Sequence, residues 1–225
     1  MPGRDIPLVN DQIYHVFNRG IAGQPIFATK WDYRRFLDSM WFYQHTNVPV
    51  RYSKFLYLTV DERSKILSAL KNKRDYIIDF ISFCLMPNHF HFLLRQCTES
   101  GIAKFISLLC NSYTRYFNTK HNRSGPLLQG KFKAVRIQDD YQLLHAVRYI
   151  HLNPYTSYIV KSQNQLANYP YSSLSVYLSK ANHSQLNREI VLENFKTKKS
   201  FEKFTFDQAD YQRNLGKIKH LILEK

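Results

Sequence analysis

The spacing of hydrophobic residues changes several times along the chain between the period of a strand and the period of a helix. Strand-like alternation is found at residues 12–18, 75–86, 89–95 and 131–137. The interruption at Met86-Pro87-Asn88 lies between two β-rich runs and predicts a hairpin. Side chains alternate across a strand, so His89 and His91 are expected on one face and Phe90 on the other.

Helical periodicity occupies the segments between these strands. Amphipathic helices are predicted after Thr29, at about 101–118 and from Asp139 to about Leu152, with a short surface helix at 61–73. In the last of the long helices, Leu143 and Ile150 belong to the apolar stripe, and Pro154 is expected to stop the helix. The opposite side of that helix carries Gln142, His145, Tyr149 and Asn153. Because strands and helices interleave around a hairpin, the pattern predicts an α+β ferredoxin-like sandwich, in which helices cover an antiparallel sheet.

Composition divides the chain into a domain and an extension. The predicted domain covers residues 1–178, with the polar stretch 51–75 as a predicted insertion, and residues 179–225 are expected to form a basic C-terminal extension. The chain of 225 residues is 44% hydrophobic and 15% aromatic, which is enough for a core and excludes general disorder. No apolar run reaches the roughly 20 residues that span a bilayer, so no membrane partner is expected.

The cellular location is inferred from cysteine usage and from the first residues. The three cysteines are odd in number and form no CxxC pair, so neither a disulfide framework nor a thiolate zinc site is predicted. The first ten residues contain no apolar run of signal-peptide length. We therefore expect a cytoplasmic, nucleoid-associated protein.

The charge balance identifies polyanions as the expected partners. Thirty-two Lys and Arg oppose 17 Asp and Glu, which gives a formal charge of +15. A basic surface attracts phosphates and releases their counterions on binding, and interleaved aromatic rings add base stacking. The candidates for phosphate contacts are Arg19, Lys131, Lys133 and Arg136. Each of them could also be an ordinary solvated surface charge.

Two short motifs contain residues that could form a metal-binding or catalytic site. His89 and His91 lie side by side at i and i+2 of one strand and could bind one divalent ion, although they could equally be packed or surface histidines. Asn153 lies one helical turn after Tyr149, so its amide oxygen could complete a metal site while the phenol faces a bound group. The alternative is a surface tyrosine with a capping asparagine.

Five strings in a fixed order resemble one family of DNA-processing enzymes. They are YHVFNRG (14–20), FCLMPNHFHFLL (83–94), SYTRYFNTKHNRSGPLLQGKFK (112–133), YIHLNP (149–154) and YPYSS (169–173). Over about residues 10–178, the chain is similar to the REP-associated tyrosine transposases, a branch of the HUH-type single-tyrosine transposases. The resemblance implies a ferredoxin-like domain that nicks single-stranded or hairpin DNA with Mg²⁺ or Mn²⁺. It also implies a 5′-phosphotyrosine intermediate and a free 3′-OH.

The resemblance also implies roles for individual residues. It implies metal ligands at His89, His91 and Asn153 and the nucleophile at Tyr149. Tyr113 and Tyr116 are rival nucleophiles, but they continue an apolar helical stripe and are expected in the core. The chain departs from the family pattern at Leu128 and Lys131 and after Pro154, which affects DNA specificity more than chemistry.

Several alternatives stay open at the level of the sequence. A catalytically inactive relative could bind hairpin DNA or RNA and regulate it without cleaving it. An RNA-processing protein could use the same kind of sheet. A zinc hydrolase could use the two histidines and release its products without a protein–DNA bond. Both a monomer and a homodimer that exchanges the tyrosine helix are compatible with the motifs.

Overall fold

The centre of the fold is a four-stranded antiparallel sheet. The computed structural model describes residues 7–73, 75–179, 185–207 and 209–210. The strands are β1 (Ile13–Arg19), β2 (Ile78–Met86), β3 (His89–Gln96) and β4 (Lys133–Arg136), in the spatial order β2-β3-β1-β4. Every pair of neighbours is antiparallel, and helices separate β1 from β2 and β3 from β4. The predicted α+β ferredoxin-like sandwich is confirmed.

Helices cover both faces of the sheet. They are α1 (Lys30–Tyr43), α2 (Tyr52–Phe55), α3 (Val60–Lys73), α4 (Gly101–Lys120), α5 (Asp140–Thr156), α6 (Gln163–Ala167), α7 (Leu174–Leu178), α8 (Glu189–Leu192) and α9 (Lys198–Phe206), with a 3₁₀ turn at Ile21–Gly23. Phe36 of α1 packs on Phe90, and Phe105 of α4 packs on Phe92, so α1 and α4 cover one face. Helix α5 packs on β2 and β3 from the other side.

The alternation along β1 and β3 determines which side chains lie on each face. Tyr14 and Val16 of β1 are buried beneath α1 and α4, together with Phe90 and Phe92 of β3. Aromatic pairs such as Phe36 with Phe90, at 5.5 Å between ring centroids, fill this layer. Burying each such ring contributes roughly 2–3 kcal/mol. The strand residues between them therefore face α5.

The prediction that Pro154 stops α5 is wrong, because the helix continues to Thr156. A proline lacks the backbone N–H that would bond four residues back, so near a helix end it costs one hydrogen bond. The next turn is kept by Ser157, whose N–H donates to the carbonyl of Asn153 at 3.0 Å. Asn153 therefore lies inside the helix and keeps its position one turn after Tyr149.

Part of the C-terminal extension packs against the domain. Phe201 of α9 is buried and stacks on Tyr177 at 5.1 Å between ring centroids. The hydroxyl of Tyr155 on α5 donates to Asp210 Oδ1 at 2.7 Å. Residues 180–184, 208 and 211–225 of the predicted basic extension lie outside the described residues. In the described part of the chain, no helix is both long and apolar enough to cross a membrane.

Candidate active site

Four of the residues singled out by their sequence motifs meet where α5 crosses β3. His89 and His91 share the face of β3 that α5 covers, with 5.0 Å between their ring centroids. The Tyr149 ring lies edge-on to His91 at 5.5 Å between centroids. The Asn153 amide is close enough to His89 and Tyr149 to oppose the shifts that burial imposes on the pKa of both side chains. One helical turn of α5 thus places an amide and a phenol next to the two imidazoles.

The histidine pair is held in a state suited to binding a cation. Nδ1 of His89 donates to Asn88 Oδ1 at 2.6 Å, and Nδ1 of His91 pairs with Nε2 of His15 at 2.9 Å. Nε2 is consequently the atom that each ring has available as a ligand. Burial lowers the pKa of both His89 and His91, which keeps the rings neutral. Neutral imidazoles oriented through their second nitrogen are typical of metal ligands.

A third histidine joins this cluster and was not among the predicted site residues. His15 of β1 stacks on His91 at 5.1 Å between ring centroids, and it lies 5.9 Å from the Tyr149 ring. Burial lowers its pKa to about 4. The signal was present in the sequence, because His15 lies between Tyr14 and Val16. Since those two residues are core residues, the intervening side chain must face α5.

Tyr149 is the tyrosine that faces the histidines. Its side chain is 46% exposed, and burial of the rest raises the pKa of the phenol, opposed by the Asn153 amide. The phenol therefore carries its proton at neutral pH. The rival Tyr113 is buried in the other layer, where its hydroxyl donates to the carbonyl of Ile26. Tyr116 lies on the same helix and contacts Asp32.

A basic groove adjoins the site at His89. The groove has a volume of about 820 Å³, and Arg19, Lys131 and Lys133 line it together with His89. The register brings Arg19 opposite His89 and Lys133 opposite Phe17, so both belong to the histidine face. Three of the four cations expected to contact phosphates therefore lie along one surface.

The fourth cation, Arg136, does not join the groove. It pairs with Tyr14 across β1 and β4, and the side chain of Tyr14 is buried on the opposite face of the sheet. The Arg136 guanidinium donates to Gln12 Oε1 at 2.7 Å. Successive side chains along a strand point to opposite faces of the sheet. Because Arg136 follows Lys133 by three residues, an odd number, the two side chains lie on opposite faces.

The side chains of this site suit a divalent cation if the amide oxygen of Asn153 serves as a ligand beside His89 and His91. Among the described residues, no group of three His, Cys, Asp or Glu side chains is arranged to hold a metal ion. The His89 and His91 rings lie 5.0 Å apart between centroids with Asn153 next to His89, and a mixed set of two imidazole nitrogens and an amide oxygen would leave positions for substrate oxygens. The residues present thus fit the metal that the resemblance implies.

Comparison with known proteins finds similarity to the same group of enzymes. Residues 43–153 match the model of the IS200-like transposases, a segment that ends at Asn153 and includes both site histidines. The fold is similar to the structure of a REP-associated tyrosine transposase bound to a REP hairpin, with a TM-score of 0.51 and 14% identity. That similarity covers 84% of this chain and 98% of the other. No curated protein matches the sequence. Residues 43–153 are therefore similar to the IS200-like transposases, and the expected resemblance to the REP-associated tyrosine transposases is confirmed for the fold.

Proposed function

We propose that this protein is a metal-dependent endonuclease and strand transferase, a transposase that cuts single-stranded DNA next to a hairpin through a 5′-phosphotyrosine. The observation that carries the proposal is the convergence of Tyr149, Asn153 and the two histidines at the end of a basic groove. A nucleophile, a site for a Lewis acid and a phosphate-binding surface are the parts that phosphodiester cleavage requires.

The proposed reaction transfers a phosphoryl group to Tyr149. The phenol loses its proton as its oxygen attacks phosphorus, and the bond from phosphorus to the 3′ oxygen breaks. The leaving oxygen takes up a proton and becomes a free 3′-OH, while the 5′ phosphate stays on the tyrosine. The bond energy is kept in the phosphotyrosine, so a second 3′-OH can attack and rejoin the strand. A divalent cation would supply Lewis-acid polarisation of the phosphate.

The protein side chains have distinct tasks in this scheme. His89, His91 and Asn153 would hold the cation. The Asn153 amide also opposes the rise of the pKa of the Tyr149 phenol, which helps the proton to leave on attack. Arg19 and Lys133 would bind the phosphates of the strand that enters the groove. One chain supplies every one of these groups, so a monomer suffices for the chemistry.

Hairpin DNA is the proposed substrate for two reasons. The structurally similar protein was solved with a REP hairpin, and the formal charge of +15 favours a nucleic acid. Cleavage requires an unpaired strand, because the nucleophile must reach one backbone phosphate in line. A hairpin with single-stranded flanks provides both a folded recognition element and such a strand.

The test is covalent trapping of labelled hairpin oligonucleotides. The protein is incubated with a pool of hairpins carrying single-stranded flanks and Mn²⁺, separated under denaturing conditions, and the adduct is mapped by mass spectrometry. We expect an adduct on Tyr149 that EDTA abolishes and that Tyr149→Phe abolishes without loss of hairpin binding. Tyr57→Phe is the matched control, because Tyr57 is exposed just after α2, a helix that packs on α1 through Tyr52 and Phe42. It should form the adduct normally.

Other outcomes identify the alternatives. Binding across the pool without any adduct would indicate a catalytically silent regulator. Cleaved products without a protein–DNA bond would indicate a hydrolase. Equal affinity for RNA and DNA of one sequence would indicate an RNA-directed role. An adduct that persists in Tyr149→Phe would refute the assignment of the nucleophile.

A further inference from the structure

We propose that the exposed side of α5 is a stacking platform for unpaired nucleobases, formed by Tyr141, His145 and Tyr149. We call these three residues the α5 aromatic row. The inference rests on the proposed function and deepens it, because it names the surface that takes the DNA bases on the side of Tyr149 away from the basic groove.

The spacing of the row matches the requirements of a stacking surface. Its members are separated by four residues, which puts them on one side of the helix about 6 Å apart along the axis. Three rings therefore extend over about 12 Å. Nucleotides are 3.4 Å apart in a stacked strand and farther apart in an extended one, so the row can serve two or three bases.

Tyr141 is unusually exposed for a tyrosine in a helix of the domain. Its side chain is 72% exposed, and its ring centroid lies 4.1 Å from that of His145. Packing in the folded chain thus leaves most of the ring surface open to solvent. A rigid aromatic ring with a free face is what base stacking needs, since it gives a large contact area at little entropic cost.

The ring of His145 is held in place by a hydrogen bond from Arg148. Nη2 of Arg148 lies 2.8 Å from Nδ1 of His145, and a guanidinium can only donate, so Nδ1 accepts. Arg148 is itself buried, with its guanidinium 4.3 Å from the Phe204 ring centroid and Nη1 donating to the Phe204 carbonyl at 3.3 Å. The second ring of the row is therefore oriented before any ligand binds, which lowers the entropic cost of stacking.

The row leads directly to the reacting phosphate. Helix α5 packs on β2 and β3, with Tyr149 next to His15 and Asn153 next to His89, the cross-strand partner of Arg19. A strand that lies over Tyr141 and His145 therefore reaches Tyr149 and then the groove. Val135 of β4 belongs to the same face of the sheet as His15 and is 56% exposed, so the sheet beside the row is open.

Charge determines which part of the DNA faces the row. Asp139 caps the N-terminus of α5 by accepting from the Gln142 N–H at 2.8 Å, and Asp140 follows it. Carboxylates at this end of the helix repel phosphates, whereas Arg19, Lys131 and Lys133 attract them at the other end. The bases are therefore expected against the aromatic rings, with the sugar–phosphate backbone turned outward until it enters the groove.

The test measures binding in the Tyr149→Phe background, where no covalent trapping occurs. A hairpin with fluorescently labelled single-stranded flanks is titrated with the parental protein, with Tyr141→Ala and with Tyr141→Phe. Each flank nucleotide is then replaced in turn by an abasic one. We expect Tyr141→Ala to weaken binding about 5- to 100-fold and Tyr141→Phe to change it less than twofold. The loss should disappear when the nucleotide that faces Tyr141 is abasic. Tyr57→Ala removes an even more exposed tyrosine elsewhere and should change nothing.

The outcomes separate this inference from the proposed function. If Tyr141→Ala binds the intact hairpin as well as its parent, the platform is refuted while the transposase proposal stands. If its loss of affinity is the same with every abasic oligonucleotide, Tyr141 acts through the fold and the platform is also refuted. A parental protein that binds no hairpin at all would overturn both. Circular dichroism melting of Tyr141→Ala checks that the helix is retained.

Discussion

Asp32 is a buried carboxylate that joins the start of α1 to the end of α4. Its oxygens accept hydrogen bonds from the backbone of Ala28 and Thr29, the Thr29 hydroxyl, Lys120 Nζ at 2.7 Å and His121 Nε2 at 3.2 Å. Burial alone would raise the pKa of Asp32, but the hydrogen bonds from Lys120, Thr29 and His121 outweigh it and lower the pKa to about 2. The ionised form is therefore stabilised by folding.

This shift sets the magnitude of the predicted loss in Asp32→Asn, which resembles the protonated carboxyl in shape. From the ordinary 3.8 to about 2, the shift corresponds to about 2 kcal/mol of folding free energy. A lowered pKa contributes stability that is fully present above pH 3.8 and is lost as the pH falls through about 2. At pH 3 the contribution has dropped to about 1 kcal/mol.

Urea unfolding of wild type and Asp32→Asn at pH 7 and pH 3 measures this difference. We expect the variant to be less stable by about 2 kcal/mol at pH 7 and by about half of that at pH 3. The control is Asp38→Asn, because Asp38 pairs with the exposed Arg34 and its loss should cost well below about 1 kcal/mol. A difference that is the same at both pH values would refute the role of ionisation, and no difference at pH 7 would refute the network itself.

Three further substitutions test other parts of the structure. Ser173→Ala should lower the free energy of unfolding by about 1–3 kcal/mol, measured in urea, because it leaves the buried Nε2 of His151 without the hydroxyl at 2.9 Å. Phe201→Ala should cost about 3–5 kcal/mol, measured in the same way, because it empties the buried contact between α9 and the domain. Lys133→Ala should weaken hairpin binding and reduce the slope of log affinity against log salt by about 0.7–0.9, whereas Arg136→Ala, on the other face, should leave that slope unchanged.

The sheet and the placement of the histidines followed from the sequence because a strand has a strict period of two. Burial of Phe90 and Phe92 in one layer leaves only one face for His89 and His91. The long apolar helices were predictable for a similar reason, since each stripe of apolar residues must be buried. Helix ends were less predictable, as Pro154 shows, because one lost hydrogen bond is tolerated when the flanking turns are packed.

Contacts between distant strands could not be predicted from local patterns. His15 meets His91 across 76 positions of sequence, and the register of β1 against β3 decides that meeting. The same holds for Arg136, which is only three residues from Lys133 along β4 but lies on the other face. Local periodicity gives the face of a residue relative to its own strand. Which strands become neighbours, and in which register, depends on the packing of the whole sheet.

Helix α5 connects the candidate chemistry to the C-terminal extension. Its apolar side, with Leu143 and Ile150, is buried in the domain, while Tyr149 faces the histidines. Its remaining side, with Arg148 and Tyr155, contacts Phe204 and Asp210 beyond the domain. Since all three sides belong to one rigid helix, the packing of α9 constrains how α5 is turned about its own axis. The extension therefore helps to hold the Tyr149 phenol at the site, although none of its described residues lies there.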